Sequence, residues 1–284
     1  MPVFRDLDDR PRLFWEVSGP IGGRPLVLIH GYGAGSFTWD AWLPEMTQRH
    51  RIYRVDLPGF GQSPAPPSGK FTPNHHAAIL LEWLHREVEG RPVLLGHSLG
   101  GGVATAMALT LQREEPGRVS ALILMAGAVL PQYLPRYISL ARIPFLGELG
   151  LALAPSRLLI RRVLREIVHD PACITDGVVE RYTEGLRSFR VRRTLLEAAR
   201  SLDVEAGRAL AAQLGQLTLP VLLLWGASDH VVPVSQGRAL EGLIPRANLV
   251  VLKECGHLPQ EEQPRAALDA ILGFLDGLAP GGAS

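Results

Sequence analysis

Four short apolar runs constrain this chain more than any other feature: PLVLIHG (25–31), RPVLLGH (91–97), VSALILMAG (119–127) and LPVLLLWG (219–226). Each has the length of one strand, is apolar without alternation, and meets a glycine at or near its end. A strand exposed on one face would alternate apolar with polar residues, so unbroken runs mark strands covered on both faces. HRIYRVDLPG (50–59), ANLVVLKE (247–254) and RLFWEVSG (12–19) read as further strands. Between them lie helical stretches. One begins at Pro73 behind a capping Thr72 and runs towards Glu89; others run through SLGGGVATAMALTLQREE, near Ser235 to Gly242, and near Pro264 to Leu278. Strands alternating with helices predict an α/β fold, a mostly parallel sheet with helices on both faces.

The alternation breaks between Val129 and Leu217. This stretch holds no convincing strand but several helical segments, and its charge is +4, from 13 arginines against 9 acids. It is expected to be a helical cap inserted between two core strands, with residues 1–128 and 218–284 forming the core and 129–217 the insertion. The apolar stretch YLPRYISLARIPFLGELGLALAP exceeds what a solvated linker carries. It should roof a cleft, with side chains such as Phe145 and Leu146 meeting a substrate tail.

Composition removes several classes. With 284 residues, 46% hydrophobic and 20% charged, the chain has ample material for a core. A formal charge of +1 gives no electrostatic case for nucleic acid or an anionic membrane. No apolar run approaches the roughly 18 residues of a membrane span, and MPVFRDLDDRPR carries charges where a signal peptide needs an apolar core. Cys173 and Cys255 are the only cysteines and have no metal-ligand spacing. A soluble cytoplasmic protein with reduced thiols is expected. GYGAG lacks the spacing of a dinucleotide loop, and the histidines and acids do not cluster, so no cofactor and no metal are expected.

Ser98 stands at the junction of the run RPVLLGH with the helix that follows, in GHSLG. A sharp strand-to-helix turn leaves no room for side chains two residues before and two after the serine, and it strains the serine so that its hydroxyl stands clear of the sheet. Such strain has little use in an inert turn. A serine hydroxyl needs a base to attack at neutral pH, and the base needs an orienting acid. His257 follows the last strand in KECGHLPQEEQP, and Asp229 follows the preceding one in WGASDHVVP, so both reach the same sheet edge as Ser98. His97 should point away from the serine, and His230 lies less favourably than His257. His30 suits a buried strut, and Cys255 has no elbow around it. The loop HGYGAG (30–35) can free backbone N–H groups, and those of Tyr32 and Leu99 could hold an oxyanion.

Taken together, HGYGAG, DLPGFGQS, GHSLGG, GASDHVVP and GHLPQEEQP resemble the α/β-hydrolase superfamily over essentially the whole chain. The resemblance implies a Ser98 nucleophile, a His257 base, an Asp229 acid, oxyanion donors at Tyr32 and Leu99, a cap over the site, and a scaffold role for Asp56 and Ser63. A serine nucleophile sets the chain apart from haloalkane dehalogenases and epoxide hydrolases, which use aspartate. Ring-cleavage carbon–carbon hydrolases usually carry tryptophan after the histidine, where Leu258 stands here. The expected activity is hydrolysis of small carboxylic esters with short to medium apolar acyl groups, through an acyl-enzyme. Carbon–carbon bond hydrolysis, a cofactor-free haloperoxidase-like activity and a non-catalytic ligand receptor are the alternatives.

Overall fold

The computed structural model describes residues 13–66, 68–131, 134–143, 145, 147, 156–186, 188–201 and 204–278. Its strands are β1 (Trp15–Ser18), β2 (Arg24–Ile29), β3 (His50–Val55), β4 (Val93–His97), β5 (Ala121–Met125), β6 (Val221–Gly226) and β7 (Ala247–Leu252). They form one sheet in the order β1-β3-β2-β4-β5-β6-β7. Only β1 runs antiparallel, against β3; every other neighbouring pair is parallel.

The apolar runs become strands because both faces of the sheet are covered. Along β2, Val27 and Ile29 enter one apolar cluster and Leu26 and Leu28 the other. Along β6, Val221, Leu223 and Trp225 face the first, Leu222 and Leu224 the second. The first cluster is completed by α1 (Pro73–Glu87), α2 (Leu99–Glu114) and α8 (Val234–Leu243), through residues such as Trp83, Met107 and Leu240. The second is completed by Trp39, Trp42 and α9 (Pro264–Gly277). Each fully buried leucine or valine contributes about 1.5–3 kcal/mol, so truncating one in β4, β5 or β6 removes a sizeable part of the net stability. Thr72 caps α1 by accepting from His75 N–H, with Pro73 at the first helical position.

Between β5 and β6 the chain leaves the sheet and forms α3 (Arg136–Ala141), α4 (Ser156–Ile167), α5 (Asp176–Gly185), α6 (Phe189–Ser201) and α7 (Val204–Ala211). No strand occurs among the described residues of this insertion.

The strand order reverses between β2 and β4. From β2 the chain steps to β3 on one side, then crosses to β4 on the other. At such a reversal the loops leaving neighbouring strands diverge and open a crevice at the carboxyl edge of the sheet.

Candidate active site

Ser98 sits at that reversal, between β4 and α2, with φ 53° and ψ −119°. A residue with a side chain pays about 1–3 kcal/mol for such backbone, and it persists only where its surroundings over-determine it. Here they do. A Cβ on Gly96 would lie 2.2 Å from the carbonyl oxygen of Gly100, and one on Gly100 would lie 2.3 Å from that of Ile29. The serine is therefore pressed up between two backbones that touch.

His257 and Asp229 arrive from β7 and β6. His257 Nε2 lies 3.0 Å from Ser98 Oγ, and His257 Nδ1 lies 2.9 Å from Asp229 Oδ2. A carboxylate only accepts, so Nδ1 carries the proton and Nε2 offers its lone pair to the serine hydroxyl. Asp229 is itself held: its Oδ1 accepts from the N–H groups of Val231 and Val232 at 2.8 and 2.9 Å. Both Asp229 and His257 are buried, while Ser98 is partly open. In this arrangement an imidazole can take the hydroxyl proton as the oxygen attacks, and its positive charge meets a fixed anion.

Tyr32, in the loop after β2, and Leu99, the first residue of α2, border the same space as Ser98. Neither N–H has a partner among the described residues; Leu99 begins a helix, where the first N–H groups find none within it. The loop is fixed from below by His30. Leu57 N–H donates to His30 Nε2 at 2.9 Å, so Nδ1 bears the proton and donates to the carbonyl of Gly31 at 2.8 Å. Burial lowers the pKa of this ring, which stays neutral. Asp56 accepts from Ser36 N–H at 2.6 Å and Gln62 N–H at 2.8 Å, and Ser63 Oγ donates to the Asp56 carbonyl at 2.7 Å. These contacts place both in the scaffold.

His97 makes no hydrogen bond to Ser98 among the described residues; its ring lies beside that of His257, centroids 5.0 Å apart, and donates from Nε2 to the His257 carbonyl at 2.9 Å. Burial, with the neighbouring imidazole of His257, pushes its pKa down to about 3, so it is a neutral strut. His230 is exposed.

Above Ser98 lies a cavity of about 490 Å³, within the range of small-molecule sites. Much of its roof comes from the insertion: Tyr137 and Ile138 of α3, Leu159, Ile160 and Val163 of α4, and Leu195 of α6. Tyr32 Oη donates to the Leu195 carbonyl at 2.7 Å, joining the loop after β2 to the insertion. Phe145 does not contribute: it is 87% exposed and absent from the lining. Leu146 lies outside the described residues. The contribution of α4 was missed, although its signal was readable. Leu159, Ile160, Val163, Leu164 and Ile167 form one helical stripe, with Arg157, Arg161, Arg162 and Arg165 among them off that stripe. Among the described lining residues there is no lysine, arginine, aspartate or glutamate. No cluster of histidine, cysteine or acidic side chains able to hold a metal occurs among the described residues. No described helix is long and apolar enough to cross a membrane.

A mostly parallel sheet, a strand-order reversal and a strained serine at a strand-to-helix junction define the α/β-hydrolase fold. A family model described as the alpha/beta hydrolase family matches residues 26–270, and the chain belongs to that family. It is a hydrolase. One relative is a pimeloyl-acyl-carrier protein methyl ester esterase of Edwardsiella ictaluri, 30% identical over 270 residues that cover 93% of this chain and 98% of the relative. Another is a 2-hydroxy-6-oxononadienedioate/2-hydroxy-6-oxononatrienedioate hydrolase of Cupriavidus pinatubonensis, 27% identical, covering 95% and 93%. Among solved structures, a thermophilic esterase from Thermogutta terrifontis superposes with a TM-score of 0.78 at 26% identity, over 97% of this chain and 98% of the other.

Proposed function

We propose that the protein hydrolyses carboxylic esters of short to medium apolar acids, with Ser98 as nucleophile, His257 as base and Asp229 as its orienting acid. Ser98 Oγ adds to the ester carbonyl as His257 Nε2 takes its proton. The resulting oxyanion is held by the N–H groups of Tyr32 and Leu99, each donor of this kind contributing about 3 kcal/mol to the transition state. His257 returns the proton to the departing alkoxide and leaves an acyl-serine, which water then hydrolyses with His257 again as base. Residues 129–217 act as the cap, closing the acyl cavity over the serine.

One observation carries the choice of substrate: the hydrogen-bonded chain from Asp229 through His257 to Ser98 opens into a cavity whose described lining holds no lysine, arginine, aspartate or glutamate. A substrate carboxylate buried there would lose its hydration without gaining a cation, which is costly. The dioate named for the Cupriavidus relative carries that anionic chemistry, whereas an uncharged ester does not.

A fluorophosphonate probe and a graded panel of p-nitrophenyl esters, set beside one ring-fission dienone, test the proposal. The probe should label Ser98 and abolish turnover, with the best kcat/KM in the short to medium range. A label on another residue, or faster turnover of the dienone than of any ester, would overturn it.

A further inference from the structure

The motif PQEEQP after His257 has no part in the chemistry above, yet its second glutamate lies where three stretches of backbone meet. Glu262 ends the helical turn Pro259–Glu262 and folds back towards the histidine. Its Oε1 accepts from the N–H of Leu258 at 3.0 Å, and its Oε2 from the N–H of Gly256 at 2.8 Å. The carboxyl group thus brackets His257 on both sides along the chain. Oε2 accepts a third bond, from the N–H of His169 at 2.7 Å, which lies two residues beyond the end of the insertion helix α4 and 93 residues away in the chain.

The two segments are joined by further contacts. The carbonyl of Ile167 accepts from the N–H of His257 at 2.9 Å. A Cβ on Gly256 would stand 2.7 Å from that Ile167 oxygen and 2.8 Å from His169 N, so backbone lies directly on backbone. His169 Nδ1 lies 2.9 Å from Ser228 Oγ, beside Asp229. Residues 167–169 therefore form the mount against which the His257 loop is set, and one side chain ties the two together.

We propose that Glu262 is a positioning residue: by gathering the N–H groups of Gly256, Leu258 and His169 it holds the His257 loop on the insertion and fixes the reach of His257 to Ser98. The proposal rests on His257 being the base, and the experiment separates the two. A reacting group displaced by about 1 Å costs about 10²-fold in rate. Glu262→Ala should therefore lower kcat on p-nitrophenyl butyrate by about 10- to 100-fold per site titrated with fluorophosphonate, with KM little changed, since Glu262 does not line the cavity. Glu262→Gln retains one acceptor oxygen and should fall between the two. Counting only titrated sites removes unfolded protein from the comparison.

The downfield proton resonance of His257 Nδ1–H is read in parallel, because it reports the bond to Asp229 without any turnover. It should shift or disappear in Glu262→Ala and persist in Glu262→Gln. Unchanged kcat per site and an unchanged resonance in Glu262→Ala overturn the proposal, as does a raised KM at constant kcat. Should Glu262→Ala fail to fold, Glu262→Gln decides, a fall in kcat per site supporting the clamp and no fall overturning it. A wild-type enzyme inert to ester and probe defeats the ester reading alone, and the resonance then decides for Glu262.

Discussion

At the scale of single residues, the site depends on groups with no reactivity of their own. In the proposed mechanism Ser98 needs the lone pair of His257, and His257 needs Asp229 to keep its proton on Nδ1. Residues that act as one unit lose function as one unit. Ser98→Ala and His257→Ala should each lower kcat by several orders of magnitude, with the double variant within about three-fold of the worse single one. Asp229→Asn should cost less than either. Steady-state rates at saturating ester check this, and losses that multiply would show His257 acting apart from Ser98. The meeting of these three side chains was legible in the sequence because each follows a strand run and Ser98 carries glycines that only a crowded turn requires. Glu262 was not legible as a clamp. Nothing local to QEEQP shows that its oxygens bond to a backbone N–H 93 residues away.

At the scale of elements, the strands were readable because two-sided burial leaves no polar face, and the runs named above became β2 to β6. β1 is shorter than its run, as befits a half-exposed edge paired only with β3. The insertion was readable as helical, but not as to which helix faces the cavity. Apolar content pointed to residues 133–153, of which Leu134, Tyr137, Ile138 and Leu140 do line the cavity, but it gave no sign that α4 adds a stripe of five side chains. Composition counts apolar residues without their direction, and direction comes from the 3.6-residue period. Val163→Phe in α4 should cut kcat/KM for the octanoyl ester by about 10-fold or more while leaving the acetyl ester within about three-fold, in line with 1–3 kcal/mol for a methylene-sized change in an apolar pocket. Phe145→Ala should leave the chain-length profile unchanged. The same p-nitrophenyl series measures both, and a profile indifferent to Val163→Phe would take α4 out of substrate selection.

At the scale of the whole molecule, buried histidines make stability depend on pH. His76 packs between Phe60 and Phe71, centroids 6.1 Å from each, and neither ring nitrogen has a partner. Burial lowers its pKa to about 3, as burial and His257 do for His97, against an ordinary value of 6.5. Above 6.5 both rings are neutral whether the chain is folded or not. Below it the unfolded chain takes up protons that the folded interior refuses, so stability falls as pH drops from 6.5 towards 3. Two such groups together should cost about 4 kcal/mol between pH 7.5 and 5. Urea unfolding at the two pH values measures it, and a flat or rising stability would show that the interior accepts the charge.

The strand-order reversal that opens the crevice also sets when the enzyme becomes one. Ser98 and His257 are 159 residues apart in the chain and meet only through the completed sheet. Parallel strands are joined by long crossovers, whose closure must be paid for before their contacts form. During synthesis, β1 to β5 can pair and bury much of both clusters while the proposed base is still unmade, since His257 lies beyond β7. Activity thus appears last and all at once. If the proposed ester hydrolysis holds, a single turnover is a report that β6, β7 and the insertion between β5 and β6 have all reached their places.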